Sequence, residues 1–375
     1  MKRNILFISL LVLFSACENT IDYDFGGVEP QLVVAGIMDA SEEEHVVFMS
    51  ISQHGSVLPV NNGTVKCYVN GELKAEESLK FSELGKNKYL MDVYSDRPWG
   101  GDWWEYDNNN QLPLAFSAKF NPGDEVKLEF EANGGKFKAS SMDLSVPVPV
   151  SFSRIDTLRV TTGNWEGMEY ENMRIDADLP DIKEEKNWYC LETLKQTKGV
   201  YKFQDGGPDV TIILKDVMNM TDMDDLVLLD GNAPDNDIFS FSSAGNGDFA
   251  VFSDGLFSNG TAHLKMNFSS WDFDYREIDD YTFSEYLSSE DNHRGARSLT
   301  KTQTVDIFLS NCSEATYFYM KALRAMTSPN YMPQIMEPVT VPSNIKDGVG
   351  FVDIVNTTVK SFELAGQSDE YVPEL

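Results

Sequence analysis

"GTVKCYVNGELK", residues 63–74, decides the fold class. Val65, Cys67 and Val69 alternate with Thr64, Lys66 and Tyr68, the period of a strand with one buried face, and Asn70-Gly71 then breaks the run. An Asn-Gly pair inside such a pattern is the strongest short hairpin signal, because both residues accept the positive φ of a tight two-residue turn. Similar stretches surround it: "QLVVAGIM" (31–38), "HVVFMSIS" (45–52), "NKYLMDVY" (87–94), "LPLAFSAKF" (112–120), "DEVKLEFEA" (124–132) and "GKFKASS" (135–141). They are rich in Val, Phe and Tyr and bounded by Gly, Asn and Pro. About seven strands in so short a span predict a β-sandwich over residues 30–147. "SVPVPV" (145–150) holds the chain extended, since a residue before proline avoids the helical region, and the domain boundary is placed there.

The second segment, residues 148–375, reads as a larger β-rich domain with a few helices. Strands are expected in "RIDADLPD" (174–181), "NWYCLETLKQ" (187–196), "DVTIILKD" (209–216), "AHLKMNFSSWDF" (262–273) and "KTQTVDIFLSNC" (301–312). "SEATYFYMKALRAM" (313–326) has helical spacing, with Ser313 at the N-cap and Tyr317, Met320, Leu323 and Arg324 on one stripe. A second helix is expected in "REIDDYTFSEYLSS" (276–289). "VPSNIKDGVGFV" (341–352) predicts an irregular loop before a buried strand from Phe351 to Val355, whose glycines serve positive φ or close packing.

At the N-terminus, Lys2 and Arg3 precede an apolar run, Ile5 to Phe14, broken only by Ser9. Ten helical residues rise roughly 15 Å, about half a bilayer core, so residues 1–16 read as a signal peptide and not as a span. Ser15 and Ala16 supply the small residues that a signal peptidase needs, directly ahead of Cys17. The expectation is a bacterial lipoprotein with Cys17 as the lipid attachment site, although Phe14 stands where Leu is usual. Acyl chains contribute about 0.8 kcal/mol per buried methylene, enough for stable anchoring when two or more are present. Residues 17–29, with Glu18, Asp22 and Asp24, read as an acidic tether.

Sixty acidic residues against 30 basic give a formal charge of −30, and removal of Lys2 and Arg3 leaves 28 basic residues, or −32. Such a surface repels phosphate backbones, so no nucleic-acid partner is expected. Beyond Cys17, only Cys67, Cys190 and Cys312 remain, distant from one another and without CxxC spacing; buried free thiols are the expectation.

"CENTIDYD", "EPQLVVAGIM", "SISQHGSVLPVNNGTVKCYVNGE", "FNPGDEVKLEFE", "FKASSMDLSVPVPV", "RIDTL", "SEATYFYMKAL" and "EPVTVPSNIKDGVGFVDIVN", in that order, resemble the lipoprotein family called domain of unknown function 4249, of the Bacteroidota. The resemblance implies an immunoglobulin- or transthyretin-like N-terminal domain and a larger β-rich C-terminal domain. It also implies residence in the outer membrane, with TonB-dependent transporters as partners, and the acids behind Cys17 resemble a surface-display signal. It brings no catalytic or binding residues.

No catalytic constellation emerges from the residues. His45, His54, His263 and His293 occur in no metal-ligand spacing, and GxSxG and phosphate-loop patterns are absent, so neither enzyme nor cofactor is expected. "TDMDD" (221–225) and "DGNAPDND" (230–237) lack the order of an EF-hand and read as solvated loops. The Asn-Gly-Thr triplets at 62–64 and 259–261 read as turns. "RPWGGDWWEYDNNNQ" (97–111) concentrates Trp99, Trp103, Trp104 and Tyr106 in an irregular stretch that can stack on a glycan or anchor a peptide; the alternative is that these rings fold inward. Asp156-Thr157-Leu158 resembles the Bacteroidota O-glycosylation pattern, with Thr157 as acceptor; the alternative is that Thr157 is an ordinary strand residue beside the domain boundary.

The leading expectation is a non-enzymatic surface lipoprotein that binds a ligand beside a TonB-dependent transporter. A structural or adhesive envelope module is the alternative. A surface hydrolase using two carboxylates about 5 to 9.5 Å apart is the third reading.

Overall fold

Asn70 and Gly71 have φ of 51° and 79°, the two positive values of a type I′ turn, and they join strand β4 (Asn62–Val69) to β5 (Glu72–Lys80). The computed structural model describes residues 29–53, 56–82, 111–165, 168–182, 186–203, 209–218, 225–231, 249–268, 296–327 and 339–370. The signal peptide, Cys17 with nearly all of the tether, the strand expected at 87–94 and the helix expected at 276–289 lie outside the described residues.

The first segment carries β1 (Gln31–Asp39), β2 (Glu44–Gln53), β3 (Ser56–Pro59), β4, β5, β6 (Leu112–Ser117), β7 (Glu125–Ala132), β8 (Phe137–Ser141) and β9 (Leu144–Ser145). The second carries β10 (Arg154–Trp165), β11 (Met168–Pro180), β12 (Trp188–Phe203), β13 (Val210–Val217), β14 (Phe249–Ser253), β15 (Thr261–Phe268), β16 (Ala296–Cys312), helix α1 (Glu314–Thr327), β17 (Ile345–Lys346) and β18 (Val349–Glu370). The protein is mainly β, as expected.

One sheet runs β13-β12-β16-β18-β1-β2-β3, with β14 on β12 and β6 on β2. Against its N-terminal part packs the sheet β17-β8-β7-β4-β5, and the two enclose a core that includes Leu32, Val34, Met49, Val65, Leu114, Leu128 and Phe130. This is the expected sandwich. Against the C-terminal part packs the sheet β10-β11-β15, over Ile175, Leu191, Phe252, Leu264 and Ile307. The two cores change over between Val146 and Val150, where the chain is extended. β18 belongs to both: Val352 and Ile354 sit in the first core, and Phe362 packs on the second.

α1 covers the other face of the large sheet, with Tyr317 and Met320 against Cys190, Val251, Cys312 and Val355. Ser313 is its N-cap, as its position implies: its hydroxyl accepts the Thr316 N–H at 3.0 Å and donates to Asp353 Oδ2, which Thr316 Oγ1 also reaches at 2.6 Å.

One expected turn is a strand. Residues 62–64 begin β4, paired with β5 and β7, and a Cβ at Gly63 would crowd the Leu112, Met49 and Leu114 side chains of the facing sheet, 2.9 Å from Leu112 Cδ2. Asn259 and Gly260, with φ of 54° and 75°, form the expected turn. Cys67, Cys190 and Cys312 are buried free thiols.

Candidate binding site

The outer face of the second sheet of the N-terminal sandwich bears an open cavity of about 370 Å³ lined by Tyr68, Gly71, Glu125, Val126, Lys127, Glu129 and Asp143. Strand alternation puts these residues together. Val65, Cys67 and Val69 point into the core, so Lys66 and Tyr68 point out; Val126, Leu128 and Phe130 do the same for Glu125, Lys127 and Glu129. Tyr68 stands opposite Lys127 across the β4-β7 pair, and the Asn70-Gly71 turn closes one end. There Asn70 Nδ2 donates to Asp124 Oδ1 at 2.8 Å, and the Glu125 N–H donates to Asn70 Oδ1 at 3.0 Å.

Tyr68 Oη donates to Glu129 Oε2 at 3.2 Å, and Lys127 Nζ donates to Glu129 Oε1 at 2.8 Å. The Lys127 hydrogen bond holds the Glu129 carboxyl below its ordinary value, and Glu129 in turn raises Lys127. Desolvation and the Glu129 charge push the Tyr68 phenol up. Three carboxylates face one ammonium that is already paired. The cleft therefore offers acceptors to hydroxyl or amine donors, beside an aromatic ring, and disfavours anions. The signal for it in the sequence is the outward half of the alternation, "KxYxxxE" and "ExKxE", which contains no catalytic spacing.

Two other polar clusters occur. On the outer face of the three-stranded sheet, Arg154 Nε donates to Asp178 Oδ2 at 2.7 Å, and His263 Nδ1 lies 2.7 Å from Asp178 Oδ1. Arg154, then His263, hold the Asp178 carboxyl down to about 2. Beside helix α1, Asp230 accepts from Tyr317 Oη and from Lys321 Nζ at 2.7 Å, and Lys321 Nζ lies 3.1 Å from Tyr317 Oη. Burial works to lower Lys321, yet Asp230 and Tyr317 hold it above its ordinary value, while burial pushes the Tyr317 phenol up. Asp178 is held as a carboxylate and Lys321 as an ammonium by their partners, which suits a structural clamp and not a general base.

Thr157 is exposed on β10, opposite Ile175, and its neighbour Asp156 pairs with Arg154. Trp99, Trp103, Trp104, Tyr106 and Cys17 lie outside the described residues. His45 is buried, with Nε2 at 2.8 Å from Ala118 O and its ring stacked 4.4 Å from Phe120, whereas His263 is exposed. Among the described residues no group of three or more His, Cys, Asp or Glu is placed to hold a metal, and no helix is long and apolar enough to cross a membrane.

No curated protein matches the sequence. Similar solved structures include one from Corynebacterium diphtheriae, described as a membrane anchored protein, at 9% identity and a TM-score of 0.18, covering 86% of this chain and 59% of that one. Another is a cycloalternan-degrading enzyme from Trueperella pyogenes, at 9% identity and a TM-score of 0.16, covering 88% of this chain and 34% of that one. The chain thus spans less than two thirds of either, and at such scores the likeness carries no argument. The model of the family described as "Domain of unknown function (DUF4249)" matches residues 18–361, nearly the whole chain, and the protein belongs to that family.

Proposed function

We propose that this protein is a non-enzymatic lipoprotein, anchored in the outer membrane through Cys17 and displayed at the surface, that binds a ligand as an accessory of a TonB-dependent transporter. The observation that carries this reading is the position of the acid-lined cleft. It lies at the Asn70-Gly71 end of the sandwich, near the start of β2, whereas β1 is entered at Gln31 beside Ser52, at the other end; with a lipid at Cys17 the cleft would stand on the side away from the anchor. Tyr68 with Glu125, Glu129 and Asp143 suits a glycan, through ring stacking and hydroxyl donors, or a peptide bearing a basic side chain. Trp99, Trp103, Trp104 and Tyr106 are the second candidate surface for such a ligand or for the barrel, and Thr157, exposed on its strand, is the candidate glycosylation acceptor.

The test is purification of the tagged protein from detergent-solubilised outer membrane, with mass spectrometry of what accompanies it and a Cys17→Ser control. Recovery of a single TonB-dependent barrel, lost in the control, is the expected result. Recovery of the protein alone would sink the accessory role.

A further inference from the structure

The two ends of the N-terminal sandwich differ in charge, and the chain from Cys17 enters at one of them. Glu29 and Pro30 lead into β1 at Gln31, which lies opposite Ser52; on the far side of β2, Val57 lies opposite Ser52 and Leu58 opposite Ile51. Both apolar side chains are exposed, at 39% and 40%. In the facing sheet the same end carries the start of β4, the end of β5 and the β7-β8 turn. Asn62 lies opposite Lys80, the Asn133 N–H donates to Asn62 O at 3.0 Å, and the Asn61 N–H donates to Asn133 Oδ1 at 2.7 Å.

Lys80, Lys136 and Lys138 are exposed here beside Glu29 and Glu131, Lys136 Nζ standing 5.3 Å from the Phe137 ring centroid and Lys138 Nζ paired at 2.7 Å with Glu131 Oε1, so among the described residues three ammonium groups stand against two carboxylates at this end. The opposite end carries Glu72, Asp124, Glu125 and Asp143 against Lys74 and Lys127. In a chain with twice as many acidic as basic residues, this sorting matters. β18 pairs with β1 from Val349↔Val33 to Val355↔Asp39 and then with β16, so the second sandwich extends away from the lysine end.

We infer that the lysine end is a lipid-facing surface: Lys80, Lys136 and Lys138 meet anionic headgroups, Val57 and Leu58 enter the interface, and the molecule stands on this end. The inference rests on the reading of Cys17 as the lipid site. Residues 18–28 reach under about 40 Å when extended and about 20 Å on average, which keeps this end near the headgroups. The surface field decays within about 8 Å at physiological salt, so the lysines must come into contact to be attracted. Each lysine in contact is then worth about fivefold in affinity. Apolar and basic side chains at one end, beside the entry point of the tether, favour a bilayer over an acidic protein as the occupant.

The experiment separates this surface from the anchor. The mature chain carrying Cys17→Ser, which has no acyl group, is mixed with vesicles of phosphatidylcholine alone or with added phosphatidylglycerol, and bound protein is measured by flotation. The expected result is at least about tenfold stronger binding to the anionic vesicles, reduced by salt. Joint Lys80→Glu, Lys136→Glu and Lys138→Glu substitutions abolish it, whereas Lys74→Glu with Lys119→Glu, both exposed at the other end of the sandwich, does not, all variants keeping the parent's thermal unfolding. Equal partition into both vesicle types, no binding to either, or an unchanged triple variant would overturn the inference. Acylation of Cys17 is read separately from the mass of the membrane-extracted protein, so failure of the anchor and failure of the surface give different results.

Discussion

Single residues hold β1 and β18 together. Gly350 has φ of 119°, and a Cβ there would stand 1.9 Å from Val34 O, so both conformation and space require glycine. Gly350→Ala is expected to cost about 3 kcal/mol or more in urea unfolding, against about 1–2 kcal/mol for Gly71→Ala, whose φ is positive but whose surroundings are open. Asp353 shows the opposite pressure. Burial pushes its carboxyl above the ordinary 3.8, although Ser313, Thr316 and the Ile354 N–H all donate to it. An acid raised in the folded state contributes its stability fully below its unfolded value and loses it as pH rises through the folded one. Asp353→Asn stays neutral, so its stability relative to the parent is expected to rise from about pH 4 to about pH 7 in denaturant titrations. Asp178, held at about 2, contributes above 3.8 and loses that contribution as pH falls towards 2.

At the scale of elements, the hairpin and the helix were legible because their signals are local. Asn70-Gly71 sits between two alternating runs, and Ser313 precedes a helical stripe whose cap bond the structure contains. Ser313→Ala removes that cap and one donor to Asp353, and a loss of about 1–2 kcal/mol is expected in thermal or urea unfolding. β10 was not named among the expected strands beyond Thr157 as an ordinary strand residue: "RIDTLRVTTGNW" is polar and carries little alternation, and among the described residues it pairs with β11. β18 was anticipated only from Phe351 to Val355, although it runs from Val349 to Glu370, because its later residues alternate weakly and owe their strand to β16. The cleft was missed for a related reason. Tyr68, Lys127 and Glu129 are the solvent half of strand alternation, and nothing local marks which outward faces lie side by side.

At the scale of the whole molecule, the first and last strands among the described residues are partners, parallel from Val33↔Val349 to Asp39↔Val355. Residues 30–147 expressed alone lack β18, and with it Val352 and Ile354 from their core. This fragment is expected to show no cooperative urea transition, while the full chain does. The three buried thiols offer a second check. Desolvation pushes Cys67 up to about 12 and raises Cys190 and Cys312 as well, so none is a thiolate at neutral pH. A thiol reagent is expected to leave all three unmodified in the native protein and to label them only as their cores open, Cys67 reporting the first core and Cys190 and Cys312 the layer under α1.

By itself the sequence determined what depends on neighbours along the chain: the strand-rich class, the Asn70-Gly71 hairpin, the capped helix and the family. The tertiary structure alone decided the parallel closure of β18 on β1, the single sheet shared by both sandwiches, the cleft around Tyr68 and the lysine end. Each of these joins residues far apart in sequence, and the choice among such partners is made by packing and register across the sheet, which no local pattern encodes.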